Sequence, residues 1–181
     1  MKRGRTLAAG ALTAMMLAAT AGAAAAEPIE HAMFEESFST QFDCGDGLIL
    51  QIEGRDAVHF LLVARGPDGL LSGQAIVNGT TVYTNPANGK TFTTTYQFLD
   101  KDLKVTDNGD GTYNLVVMHS GQVASYGPDG SRLLMDAGMF VFNGVLDVAN
   151  GEFVFGEDLR QAGRWDTDGR DFCSDMHEFL G

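Results

Sequence analysis

The sequence predicts an all-β domain: an antiparallel up-and-down β-barrel of about 8–10 strands, with a β-sandwich as the alternative and a short C-terminal helix. Three observations lead there. Gly, Pro, Asn and Asp turn clusters recur along residues 54–151 at strand-like spacing. The segments between them alternate apolar and polar with period two. No segment between them is long enough for the crossover helix that a parallel sheet needs. Since nearly every link is hairpin-short, sequential strands become neighbours, which favours the barrel over the sandwich.

Lys2, Arg3 and Arg5 precede an apolar run from Leu7 to Ala19, and Ala24 and Ala26 form an A-x-A pattern before Glu27. This predicts a secretory signal over 1–26, too short in its apolar core to span a bilayer. The expected mature protein is secreted and soluble, with an N-terminal arm over 27–46 and a single β domain over 47–181. The arm (27–43, EPIEHAMFEESFSTQFD) has no clear period and suits a short helix or an extended segment laid across the barrel mouth.

From Gly47 the period is two: Leu48, Leu50 and Ile52 alternate with Ile49, Gln51 and Glu53 in a strand ending at Gly54. Residues 57–65 are apolar on both faces and read as a central strand. GPDG at 66–69 is a tight reversal, with Pro67 presetting φ and Gly69 free to take a positive one. Residues 70–77 return, Asn78-Gly79 predicts a two-residue hairpin turn, and 80–84 pair back. NPANG at 85–89 turns into 90–99, where Phe92, Thr94, Tyr96 and Phe98 share one face and Thr91, Thr93, Thr95 and Gln97 the other. That second face suits a solvated strand surface rather than a repeated Thr ladder.

Residues 101–106 lead into DNGDG at 107–111, and 112–119 form the next strand. Residues 122–126 and 132–136 flank a second GPDG at 127–130. The two GPDG copies have unmatched flanks, so they are reused turn chemistry and no internal repeat. Residues 138–148 form an apolar strand bent at Asn143-Gly144, and Ala149-Asn150-Gly151 turns into 152–158. Beyond Leu159 the pattern dissolves. Residues 172–180 predict one or two helical turns, with Phe172, Met176, Phe179 and Leu180 on one stripe.

Twelve basic residues face twenty-four acidic ones, a net charge of −12. Loss of the leader's three basic residues leaves nine against twenty-four, or −15. Such a surface repels phosphate backbones and anionic headgroups, so no nucleic acid and no membrane surface is expected as partner. Cys44 and Cys173 are the only cysteines. In an exported chain they read as one structural disulfide, the alternative being two independent thiols.

The chemistry-bearing residues are few. His59 lies on the 57–65 strand and His119 ends the 112–119 strand. If both pointed into one lumen they would serve as a general acid–base pair; the plainer reading is two strand histidines satisfied by neighbours. Arg65 shares a face with His59 but lies about 20 Å along the strand. Asp166, Asp168 and Asp171 hint at a calcium loop, yet position 5 is Arg170 and the glycine falls at position 4, so the EF-hand pattern fails. No G-x-S-x-G elbow, H-E-x-x-H, P-loop or dinucleotide fingerprint occurs. No metal and no cofactor is predicted.

Phe42-Asp43-Cys44-Gly45 before the first strand, the Ala-rich leader, the Asn-Gly turns and the closing Asp171-Phe172-Cys173 resemble the small exported β-rich proteins of unknown function from high-GC Gram-positive bacteria. The resemblance implies a barrel-like domain closed by a terminal disulfide and transfers no catalytic residue. The barrel is also similar in plan to lipocalin-like and allene-oxide-cyclase-like barrels, although the lipocalin G-x-W signature is absent and Trp165 lies near the C-terminus.

The function expected is a non-enzymatic binding or interaction protein. Its partner is a small apolar ligand in the barrel or an extracellular protein. Phe60, Tyr96, Phe98, Tyr113 and Met139 are the candidate ligand contacts among many large strand residues that would otherwise simply fill a core. The alternatives are a cyclase or isomerase using His59 or His119 in an apolar cavity, and a structural or inhibitory surface protein. The sequence sets no oligomeric state.

Overall fold

Seven strands, each joined to the next by a short turn, form one antiparallel sheet in the order β1 to β7. They are β1 (Pro28–Asp43), β2 (Ile49–Arg65), β3 (Leu70–Thr84), β4 (Thr91–Asp107), β5 (Thr112–Tyr126), β6 (Arg132–Asp147) and β7 (Glu152–Trp165), followed by helix α1 (Phe172–Leu180). The computed structural model describes residues 28–65 and 68–181. The expected leader and the Gly66-Pro67 half of the first GPDG turn lie outside them. The up-and-down order and the C-terminal helix are as the sequence predicts. β1 and β7 do not pair, so the sheet is open and keeps two free edges.

There are seven strands and not 8–10 because stretches expected to be separate run together. Each strand has 14–17 residues, against the five or six usual in globular sheets. Residues 28–43, expected as an arm, are the edge strand β1, paired to β2 from Pro28↔Val63 to Asp43↔Ile49. Asn78-Gly79 is no turn: Gly79 sits mid-strand, opposite Asp56 on β2 and Tyr96 on β4. A Cβ there would collide with the Tyr96 ring and the Asp56 carboxylate, so the glycine serves ring packing rather than chain reversal. Phe38 covers Gly54 in the same way across β1 and β2. Asn143-Gly144 does carry an irregularity in the β6–β7 register. Residues 159–165, expected to be patternless, complete β7.

The local turn chemistry reads correctly elsewhere. Gly89, Gly109, Gly111, Gly130 and Gly151 all take positive φ in the predicted turns. Asp110 and Asp129 accept hydrogen bonds from Thr112 and Ser131, which hold both carboxyls below the usual carboxylate range.

The tightest core lies where α1 meets one end of the sheet. Leu48, Leu50, Phe92, Met176 and Leu180 are buried there, flanked by Ile52, Tyr83, Leu134 and Phe179. Phe92 stacks on Phe179 with centroids 5.6 Å apart. Asp171 caps the helix by accepting from the Ser174 backbone N–H at 2.9 Å. At the other end Asn85 and Asn88 both donate to the Leu180 carbonyl, at 2.9 and 2.8 Å, and Lys90 donates to Gly181 O. The Cys44–Cys173 disulfide fastens this helix to the β1–β2 turn, with Cα atoms 5.2 Å apart.

Candidate binding site

Directly opposed residues in an antiparallel sheet point to the same side, so each line of cross-strand partners forms a rung belonging to one face. The rung Ile52–Tyr83–Phe92 lies beneath α1. Eight residues further along β4, on the same face, runs the rung Phe60–Ala75–Asp100–His119–Phe140. The helix packs around Leu50 and Phe92 at the other end of the sheet, and among the described residues the ring contacts of His119 on this rung are with Phe98 and Phe140 of neighbouring strands.

His119 is the centre of this free half. Its ring lies between Phe98, with centroids 4.8 Å apart, and Phe140, at 4.6 Å. Its Nδ1 is 2.6 Å from Asp100 Oδ1, directly across on β4. The aromatic line continues from Phe98 to Tyr96, and from Phe140 to Trp165 and Phe142. Phe142 in turn meets Phe153 and Phe155. Phe155 is 67% exposed, so the line ends in solvent at β7. An aromatic surface this continuous is unusual to leave uncovered.

Two acidic groups flank the ladder. The Tyr96 hydroxyl donates to Asp56, and burial, reinforced by that carboxylate, pushes the hydroxyl up to about 12. Asp102 accepts from the Gly73 backbone N–H at 2.7 Å. Burial raises its pKa, the nearby Asp100 adds to this, and the Gly73 hydrogen bond opposes it.

Between Phe98, His119, Val123, Asp136 and Trp165 lies a void of ≈ 30 Å³, floored by Gly121 and Gly138. It has room for a water-sized group. Trp165 lines it, and the buried indole Nε1 has no hydrogen-bond partner. A buried donor without an acceptor is costly in a finished core.

The candidate residues separate. Tyr96, Phe98, Phe60 and His119 share this face, Phe60 on the same rung as His119 but three strands away. Tyr113 is on the face too, six residues along β5 and so about 20 Å from His119. His59 and Met139 lie on the opposite face, on the rung His59–Ile76–Leu99–Ser120–Met139. The acid–base pair of His59 with His119 is therefore excluded, because a sheet separates them, and Met139 is no part of the ladder.

Residues 166–171 are structural. Asp166 is held by Arg164 and the Met135 N–H, Thr167 donates to Asp136, and Asp171 caps α1. Among the described residues no three or more His, Cys, Asp or Glu side chains converge on a metal position. No described helix is long and apolar enough to cross a membrane.

Sequence reasoning missed Asp100 and Phe140 as partners of His119, and Trp165 as a wall of the void beside it. Their signal is cross-strand register, which no single strand carries. The chain matches no family model, no curated protein and no solved structure.

Proposed function

We propose that this chain is an exported binding module that takes a small, largely apolar ligand bearing one hydrogen-bond acceptor on the aromatic ladder. The observation that carries the proposal is the His119 ring held between Phe98 and Phe140, beside a void lined by Trp165 with its unpartnered Nε1. Flat rings supply apolar contact at small entropic cost, and the indole N–H fixes one end of the ligand. Export accords with the Cys44–Cys173 disulfide and the basic-then-apolar leader.

Trp165 is the only tryptophan and so an intrinsic reporter. Titration with the neutral apolar probe N-phenyl-1-naphthylamine should quench it saturably, with affinity reduced by Phe140→Leu and His119→Gln. Native mass spectrometry of protein taken from culture medium should show a mass excess that denaturation removes. Non-saturable quenching together with no excess mass overturns the proposal.

A second reading is favoured by one observation. Asp100 engages His119 Nδ1, which fixes the ring and leaves Nε2 to exchange a proton with a bound molecule. This is the arrangement an isomerase or cyclase would use. Incubation of the molecule recovered from the protein should then give an isomer of unchanged mass and altered retention, formed by the wild type and lost in Asp100→Asn. No isomer with the wild type sinks the enzyme reading and leaves the binding one standing.

A further inference from the structure

On the face opposite the ladder, His31 of β1 and His59 of β2 bring their Nε2 atoms to 2.5 Å, with ring centroids 4.7 Å apart and planes at 65°. A contact between two imidazole nitrogens has room for a single proton, so one ring donates and the other aims a lone pair at it. The two residues come from different strands and meet diagonally: His31 is opposite Leu61, and His59 is opposite Met33. Met33 therefore stands two residues from His31 on the same face and directly across from His59. It is 76% exposed, more than any other large apolar residue in the described chain.

An apolar side chain so placed contributes little to packing. A thioether there has a second use. The two imidazoles meet at the edge of the sheet, and the thioether sits at the neighbouring register position of the same face of a single hairpin. We propose that His31, Met33 and His59 form a surface site for a copper ion, held most tightly as Cu(I).

The donor set selects the metal. Imidazole suits copper and zinc alike, whereas a thioether favours soft Cu(I). Hard cations need several oxygens. The carboxylate on this face nearest the spot along β1 is Glu35, which is paired with Arg55. The geometry needs little adjustment. Metal–imidazole bonds of roughly 2.0–2.1 Å place two nitrogens on one ion about 3.3–3.6 Å apart. The rings must part by about 1 Å, and the exposed His31 side chain on an edge strand can swing by that much. The ion takes the place of the shared proton.

The test is competition for Cu(I) between the oxidised, secreted protein and the chromophoric chelator bicinchoninate, with ascorbate as reductant so that the disulfide survives. A parallel titration uses Zn(II) with a zinc chromophore. The wild type should withdraw one equivalent of copper. His31→Ala and His31→Gln should each weaken Cu(I) binding by at least the ~10- to 100-fold that loss of an outer partner alone costs at metal sites. Met33→Leu should weaken Cu(I) and leave Zn(II) unchanged. His31 and Met33 are exposed, so circular dichroism of these variants should match the wild type. Failure of the wild type to withdraw copper overturns the site. So does wild-type binding by His31→Gln, which would put the copper elsewhere. An unchanged Cu(I) affinity in Met33→Leu overturns the copper assignment, because the thioether is what distinguishes this ion from zinc.

Discussion

The side-chain amide of Asn85, at the start of the β3–β4 turn, donates to the carbonyl of Leu180, ninety-five residues later in the chain, at 2.9 Å. A helix leaves its last carbonyls without intrahelical donors, and here a turn supplies them. Asn85 is 7% exposed, so removing its amide takes one of two donors from the carbonyl in a dry place. Asn85→Ala should destabilise the protein by about 1–3 kcal/mol. The figure should lie toward the lower end, because Asn88 still donates to the same oxygen. Urea denaturation of the single and double alanine variants checks this, and the double variant should lose more than the sum of the two.

Loss of the disulfide should cost more than any single side chain. The bond closes a loop of 129 residues, and the chain-entropy treatment gives about 5 kcal/mol for a loop of that size. The Cys44→Ser, Cys173→Ser double variant should show a lower denaturation midpoint. The loss should concentrate at α1, whose amides should exchange hydrogen much faster than those of β4 and β5.

Gly79→Val tests whether the strand-interior glycine exists for the Tyr96 ring. The added side chain must displace either that ring or the Asp56 carboxylate, and overpacking of this kind costs about 1–3 kcal/mol. Combined with Tyr96→Ala, the same substitution should cost less than it does alone. Equal costs in both backgrounds, read from urea midpoints, would show that the ring is not what the glycine accommodates.

Tyr96 also predicts a pH dependence. Its folded pKa of about 12 lies above the ordinary 10.0, so folding favours the protonated phenol. The resulting stabilisation is complete below pH 10 and is lost as the pH rises toward 12. Burial also raises the Tyr83 phenol, so tyrosinate absorbance should show more than one late-titrating group, of which the one near 12 should be missing in Tyr96→Phe. Asp102 follows the same sign at the acid end. Its raised pKa means that its ionised form is disfavoured in the fold at neutral pH. Asp102→Asn keeps an acceptor for Gly73 N–H and should stabilise the protein at pH 7, with the gain fading below pH 4.

Features set by a few consecutive residues were legible in the sequence, and those set by register were not. The turns at 85–89, 107–111 and 127–130 depend on glycines that take positive φ where the local sequence places them. Asn78-Gly79 carries the same local signal, but Tyr96 from the next strand claims the glycine and keeps the backbone extended. β1 escaped notice because Phe34, Phe38 and Phe42 recur every fourth residue, with Glu36 and Thr40 between them on the same face. That spacing is as compatible with one face of a short helix as with a strand, so it does not single out the strand. The two histidines show how sharp the register requirement is. The partners of His59 lead across the sheet to Ser120, and His119 is the next residue. A single position sends the two side chains to opposite faces.

The meander order has a consequence for how the chain is made. Every strand pairs with the one synthesised just before it, so each hairpin can form as soon as its second strand emerges. The long-range closure waits for the end. Asn85 and Cys44 are held open until Leu180 and Cys173 arrive with the final helix. A chain stopped after β7 would carry a near-complete sheet and an unspent thiol at Cys44. The disulfide can therefore close only in a chain that has been made as far as its last helix, so a count of free thiols separates finished molecules from truncated ones.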